Sequence, residues 1–154
     1  MGGGQHRKRC NNLFYFDLIY METTMTPMIL IIDDNPDDVE ITKRTLARMD
    51  RKVEVKTAPR GEAALELLHS GTALPELILL DLKMPGMSGF DTLRKIRADR
   101  RMKHIPVIVV TSSSLEADEK EGCEAGADGF LHKAFDIDLF GREIKAVLER
   151  WLKI

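Results

Sequence analysis

At 154 residues the chain is long enough for one ordinary globular domain and too short for two comfortable ones. A hydrophobic fraction of 44% and a charged fraction of 31% exclude a disordered chain, and a formal net charge of -2 gives no reason to expect nucleic acid or membrane as a partner. The two cysteines, Cys10 and Cys123, form no metal-type spacing, and a reducing, cytoplasmic setting is the simplest reading.

Residues 1–26 differ from the rest. A glycine run and the basic cluster His6-Arg7-Lys8-Arg9 precede an apolar, aromatic patch from Leu13 to Tyr20. A basic start before an apolar stretch is the pattern of a secretory signal, but Asp17 interrupts the patch and no small-residue cleavage pattern follows it. Met21, Met25 and Met28 come just before the first convincing strand. The expectation is therefore a disordered extension or an over-long start, with a docking or membrane-touching arm as the alternative, and a folded domain over 27–154. No segment approaches the run of about 20 apolar residues that a spanning helix needs.

From Met28 onward short apolar runs alternate with amphipathic ones. Ile29 to Ile32 is apolar throughout, as a strand buried on both faces must be. Asn35-Pro36-Asp37-Asp38 predicts a helix start: a capping side chain, proline at the first helical position, and acids facing the positive end of the dipole. That helix is expected to reach about Met49. Val53-Glu54-Val55 predicts a short alternating strand near an edge. Gly61 to Ser70 reads as a helix with Ala64, Leu67 and Leu68 inward and Gly71 ending it. Leu77 to Leu80 is a second fully apolar strand. Ser88 caps a helix with Phe90, Leu93 and Ile96 on one face, and Val107 to Val110 is the fourth strand. Leu115 to Ala125 predicts a weak, highly charged helix ended by Gly126, and Gly129 to Leu131 a short fifth strand. A last helix over about Asp136 to Leu152 places Leu139, Phe140, Ile144, Val147, Leu148 and Trp151 at helical spacing.

Five strands alternating with five helices predict an α/β domain, a doubly wound parallel sheet of flavodoxin-like order 2-1-3-4-5. Ligands of such sheets bind beyond the carboxyl ends of the strands. Asp33 and Asp34 end the first strand, Asp81 the third and Thr111 the fourth, and Lys133 follows the fifth, so all five converge on one edge. Taken singly, Asp33 and Asp34 could simply cap a helix, Thr111 could be a strand-end hydroxyl, and Lys133 a surface lysine. Their joint placement outweighs those readings. Three clustered carboxylates repel unless a cation intervenes, and an all-oxygen set suits Mg²⁺ better than Zn²⁺. With the carboxylates neutralised, Asp81 can act as a nucleophile toward a phosphoryl group, giving an acyl phosphate whose oxygens Lys133 and Thr111 bind.

The motifs Ile31-Ile32-Asp33-Asp34, Leu79-Leu80-Asp81-Leu82-Lys83-Met84-Pro85-Gly86, Val109-Val110-Thr111-Ser112 and Gly126-Ala127-Asp128-Gly129-Phe130-Leu131-His132-Lys133 together cover nearly all of the domain. On them, the chain from Met28 onward resembles the receiver domains of two-component response regulators. The resemblance implies that Asp81 is the phosphoacceptor. It makes Asp33, Asp34, Asp81 and the backbone carbonyl of Lys83 the Mg²⁺ ligands, and Lys133 the phosphate-binding lysine. Thr111 and Phe130 become a conformational switch pair, although Phe130 as a β-forming aromatic could equally be plain core. The partner implied is a histidine kinase. The run from Asp33 to Glu40 is similar to stand-alone regulators paired with phytochrome-type histidine kinases. No output domain follows Ile154 in this sequence, so the signal is expected to pass by conformation, to a downstream protein or a second copy, through the face formed by the fourth helix, fifth strand and last helix.

One departure stands out. The family usually follows the lysine with a proline after a cis bond, and here Ala134 follows Lys133. A cis bond before a non-proline residue costs about 2.5–4 kcal/mol, so the bond is either strained or trans. A degenerate receiver that only binds partners is the alternative this departure supports. Two other chemistries fit less well. An aspartate-nucleophile phosphatase needs a second carboxylate two positions after the nucleophile, where Lys83 stands. A flavin or dinucleotide site needs a glycine- or hydroxyl-rich phosphate loop, and the first strand ends in acids.

Overall fold

The computed structural model describes residues 26–71, 73–133 and 136–152. Residues 1–25 of the extension expected over 1–26 lie outside them, as does Ala134 and with it the Lys133–Ala134 bond. Among the described residues ten elements alternate: β1 Met28–Ile32, α1 Pro36–Ala47, β2 Glu54–Ala58, α2 Gly61–Ser70, β3 Leu77–Leu80, α3 Gly89–Ala98, β4 Val107–Thr111, α4 Glu116–Ala125, β5 Gly129–His132 and α5 Ile137–Leu152. The strands form one parallel sheet in the order β2-β1-β3-β4-β5.

The apolar runs become strands buried on both faces because side chains alternate sides along each of them. Leu30, Ile32, Ile78 and Leu80 face one way and pack with Ala64 and Leu68 of α2 and Leu93 and Ile96 of α3. Ile29, Ile31, Leu77 and Leu79 face the other way, against Leu46 of α1 and Phe140, Ile144 and Leu148 of α5. This two-sided cover holds the middle strands rigid and leaves their carboxyl ends as the place where polar side chains can gather.

The differences from expectation are local. α1 stops at Ala47, because Arg48 N–H bonds to Thr45 O and Met49 N–H to Leu46 O, tightening the last turn into 3₁₀-type bonding. β2 is an edge strand as expected, but it starts one residue later and runs to Ala58, pairing residue for residue with all of β1. On α3, Phe90 is only half-buried, whereas Thr92 is fully buried and satisfies its hydroxyl on Ser88 O at 2.9 Å. Asp136 is the cap of α5, not its first residue, its carboxylate accepting from Asp138 N and Leu139 N. Leu139 is 41% exposed, off the buried stripe formed by Phe140, Ile144 and Leu148. Gly126 ends α4 in the left-handed conformation, at φ 105°.

Gly89 opens α3 directly beneath the end of β3. A Cβ there would lie 2.2 Å from Asp81 O and 2.6 Å from Leu82 Cα, both backbone atoms with little room to yield. Gly89→Ala is therefore expected to destabilise the fold by about 1–3 kcal/mol. Urea unfolding measures this, and an unchanged midpoint would contradict the close approach.

Candidate functional site

The edge of the sheet collects the polar residues through backbone bonds that continue the strand pairing. Asp33 N–H donates to Ala58 O at 3.1 Å, and Asp81 N–H to Ile32 O at 2.9 Å, so the two aspartates are carried just past the ends of β1 and β3. Lys133 N–H donates to Thr111 O at 2.8 Å, extending the β4–β5 ladder by one step. Asp33 and Asp81 are buried, at 8% and 7% exposure, and Asp34 is exposed. The turn into α1 is held by side chains: Asp33 Oδ1 accepts from Asn35 N at 2.9 Å, and Asn35 Oδ1 accepts from Asp37 N at 3.0 Å.

Asp33, Asp34 and Asp81 each bring a carboxylate oxygen into one group, all within 4.8 Å of one another. Lys133 reaches into the same place. Its Nζ donates to Asp38 Oδ2 at 2.8 Å and to Asp33 Oδ2 at 2.9 Å, and lies 3.6 Å from Asp81 Oδ1. Burial pushes the Asp81 carboxyl up; the Lys133 charge pulls it back, and Asp33 and Asp34 push it further, leaving it at about 6. For Lys133, burial works against the charge, but the bonds to Asp38 and Asp33 outweigh it and hold the ammonium above its ordinary range. Three oxygen donors, two of them buried, with a carboxyl that resists ionising among them, fit a hard divalent cation such as Mg²⁺.

Thr111 is buried, and its hydroxyl accepts from Ser113 N at 3.1 Å. Ser113 Oγ in turn donates to Asp118 of α4, and Lys83 Nζ lies 3.9 Å from Asp118 Oδ2. The Lys83 side chain thus sits on the rim, exposed, while Ser113 is buried beside Thr111. Phe130 is half-buried, with its ring against Gly122 of α4: a Cβ at 122 would lie 2.5 Å from Phe130 Cζ. Of the side chains expected from the sequence, Asp33, Asp34, Asp81 and Lys133 come together, Thr111 ends the neighbouring strand with its hydroxyl on Ser113 N, and Phe130 is set back against α4. Two members escaped sequence reading. Asp38 looked like one of a pair of helix-start acids, and nothing in the spacing singles it out as the partner of Lys133. Asp118 looked like one of several charges on a solvated helix.

The chain matches the response regulator receiver domain family over residues 29–145. It is 36% identical over 122 residues to the chemotaxis protein CheY of Pseudomonas aeruginosa, covering 79% of this chain and 96% of that one. Other curated relatives are longer, and the chain spans 25% and 30% of two such proteins. Among solved structures it is similar to the phosphorylated cyanobacterial phytochrome response regulator RcpA, with a TM-score of 0.78 and 28% identity over 83% of this chain and 95% of that one. The Mn²⁺-bound form of response regulator Rcp1 gives a TM-score of 0.74 and 27% identity, with 82% of this chain and 94% of that one covered.

The raised Asp81 pKa has a consequence for stability. Its folded-state value, about 6, lies above the ordinary 3.8, so the folded protein holds that proton more tightly than the unfolded chain. The stability this contributes is full below about pH 4 and is lost as pH rises through about 6. At 1.36 kcal/mol per unit the whole effect is about 3 kcal/mol at most. In a chelating buffer Asp81→Asn is therefore expected to be more stable than wild type at pH 7.5, with the advantage gone at pH 4. Thermal melts at both pH values measure it, and an advantage independent of pH would contradict the assignment.

Proposed function

The chain belongs to the response regulator receiver domain family, and we propose that it works as a two-component signalling switch that takes a phosphoryl group from a histidine kinase onto Asp81. The observation that carries this reading is the buried Asp81 carboxylate beside Asp33 and Asp34, with the Lys133 ammonium 3.6 Å away. In the transfer a bond forms between an Asp81 oxygen and phosphorus while the phosphorus–nitrogen bond of the donor histidine breaks, its electron pair leaving with the imidazole. Asp33, Asp34, Asp81 and the backbone carbonyl of Lys83 would hold Mg²⁺, which supplies charge neutralisation for the carboxylates and the phosphoryl oxygens. Lys133 binds those oxygens by charge and Thr111 by its hydroxyl. The protein accepts the group and loses it slowly by hydrolysis, a switch rather than an enzyme with a separate substrate.

The output is conformational. Thr111 is drawn toward the phosphoryl group, the Phe130 ring leaves its seat on Gly122, and α4 repacks with β5 and α5. α4 suits this role because it buries only Gly122 and Ala125. A downstream protein or a second copy reads the α4–β5–α5 face. The likeness to RcpA supports a phytochrome-type histidine kinase as the donor. Among the described residues no helix is long and apolar enough to cross a membrane, which is compatible with work in the cytoplasm.

Intact mass after incubation with Mg²⁺ and acetyl phosphate tests the assignment. A single Mg²⁺-dependent phosphoryl adduct is expected, absent from Asp81→Asn; no adduct under conditions that label another receiver would overturn it. For the switch, phosphorylation is expected to move the ring resonances of Phe130 in wild type but not in Thr111→Ala. Equal movement in both would rule out coupling through Thr111.

A further inference from the structure

Asp38 lies outside the acidic triad, yet it makes the shortest of the three carboxylate contacts to the Lys133 ammonium, 2.8 Å against 2.9 Å for Asp33 and 3.6 Å for Asp81. An ammonium has three N–H donors. Asp33 and Asp38 accept two of them, which leaves the third for the side on which Asp81 lies. Of these three carboxylates, Asp33 and Asp81 belong to the cluster fitted to a cation, and Asp38 does not.

The two ends of the Asp38–Lys133 contact differ in rigidity. Asp38 is in the first turn of α1, where Pro36 sets the backbone, Asn35 caps it, and the Asp38 carbonyl accepts from the Thr42 hydroxyl at 2.9 Å. Lys133 comes one residue after β5, on a long stem with many rotamers. A side chain with that freedom delivers its charge to a reacting oxygen only if something fixes it, and α1 is the rigid element that supplies an acceptor from outside the acidic cluster.

From this juxtaposition we infer that Asp38 is a positioning residue for phosphoryl transfer, anchoring the Lys133 ammonium so that its remaining N–H is aimed at Asp81 and the group Asp81 accepts. This rests on the reading of Asp81 as phosphoacceptor. Asp38 itself touches no reacting atom. A neighbour serves as the control: Asp37 carries the same charge in the same helical turn, is exposed, and makes no ion pair with Lys133.

The test compares wild type, Asp38→Ala, Asp38→Asn and Asp37→Ala by rate of labelling with acetyl phosphate, by Mg²⁺ affinity in calorimetry, and by the ¹⁵N resonance of the Lys133 ammonium in metal-free protein. Asp38→Ala is expected to label about tenfold more slowly or worse, Asp38→Asn to fall between it and wild type because the amide oxygen still accepts, and Asp37→Ala to stay within about twofold. Mg²⁺ affinity should change by no more than about threefold in any variant, and the ammonium resonance should disappear or shift only on substitution of Asp38. Labelling of Asp38→Ala as fast as wild type or faster overturns the inference, because Asp38 would then be idle or a competitor for the lysine. So does equal slowing in Asp37→Ala, or a loss of Mg²⁺ affinity that matches the loss of rate. If wild type itself is not labelled, the reading of Asp81 falls, and the ammonium resonance alone decides whether Asp38 holds Lys133.

Discussion

Two carboxylates buried at the end of a parallel sheet are the constraint around which the site is built. Removing an ionised carboxylate from water is costly, and placing two side by side adds repulsion. Asp33 and Asp81 are in that position, and the side chain of Lys133, itself largely buried, lies against both. The ammonium offsets part of the cost and leaves part of it, which is why the Asp81 carboxyl is held at about 6. A site with this residual imbalance favours whatever brings positive charge to its open side, where exposed Asp34 stands. The fit to a divalent cation, on which the proposed function draws, is thus laid down by the fold before any chemistry takes place.

The sheet makes that imbalance tolerable. β1 and β3 are covered on both faces, and their apolar alternation divides the core between the α2–α3 side and the α1–α5 side. Backbone bonds from Asp81 N–H to Ile32 O and from Asp33 N–H to Ala58 O then extend this rigid lattice by one residue, into the polar edge. The acids cannot move apart to relieve repulsion because their backbones are part of the sheet. Gly89 adds to the confinement, letting α3 start close against Asp81 O. Repulsion that a loop could relieve by moving is held here by main-chain pairing.

Much of this could be read from the sequence because it rests on short-range rules. Fully apolar four-residue runs in Ile29–Ile32 and Leu77–Leu80 admit few arrangements other than doubly covered strands, and once those are parallel the acids after them must share an edge. Asn35-Pro36 and Ser88 mark helix starts by their own local chemistry, and both cap as expected. What escaped depends on the angle between elements. Asp37 and Asp38 are indistinguishable as helix-start acids, and only the tertiary placement of α1 brings Asp38 to the Lys133 ammonium and leaves Asp37 in solvent. Leu139 fits a helical stripe by spacing, yet the orientation of α5 leaves it exposed, because a stripe predicted from periodicity is wider than the surface available to cover it.

The same contrast between rigid and marginal parts indicates where a signal can leave the site. α1 is tied down by its caps and by contacts with α5, and α3 by burial of Leu93 and Ile96. α4 has three acids in its first turn and just Gly122 and Ala125 buried. Its links to the site are polar or small: Ser113 to Asp118, Lys83 to Asp118 at 3.9 Å, and the Phe130 ring on Gly122. The first two connect loops at the acidic edge to α4, and the third connects α4 to the edge strand β5. A change in charge at Asp81 therefore meets stiff resistance toward α1 and α3 and little toward α4, since moving α4 exposes hardly any apolar surface. For the switch proposed above, the direction of response then follows from where the hydrophobic packing is thin, and no dedicated path through the core is required.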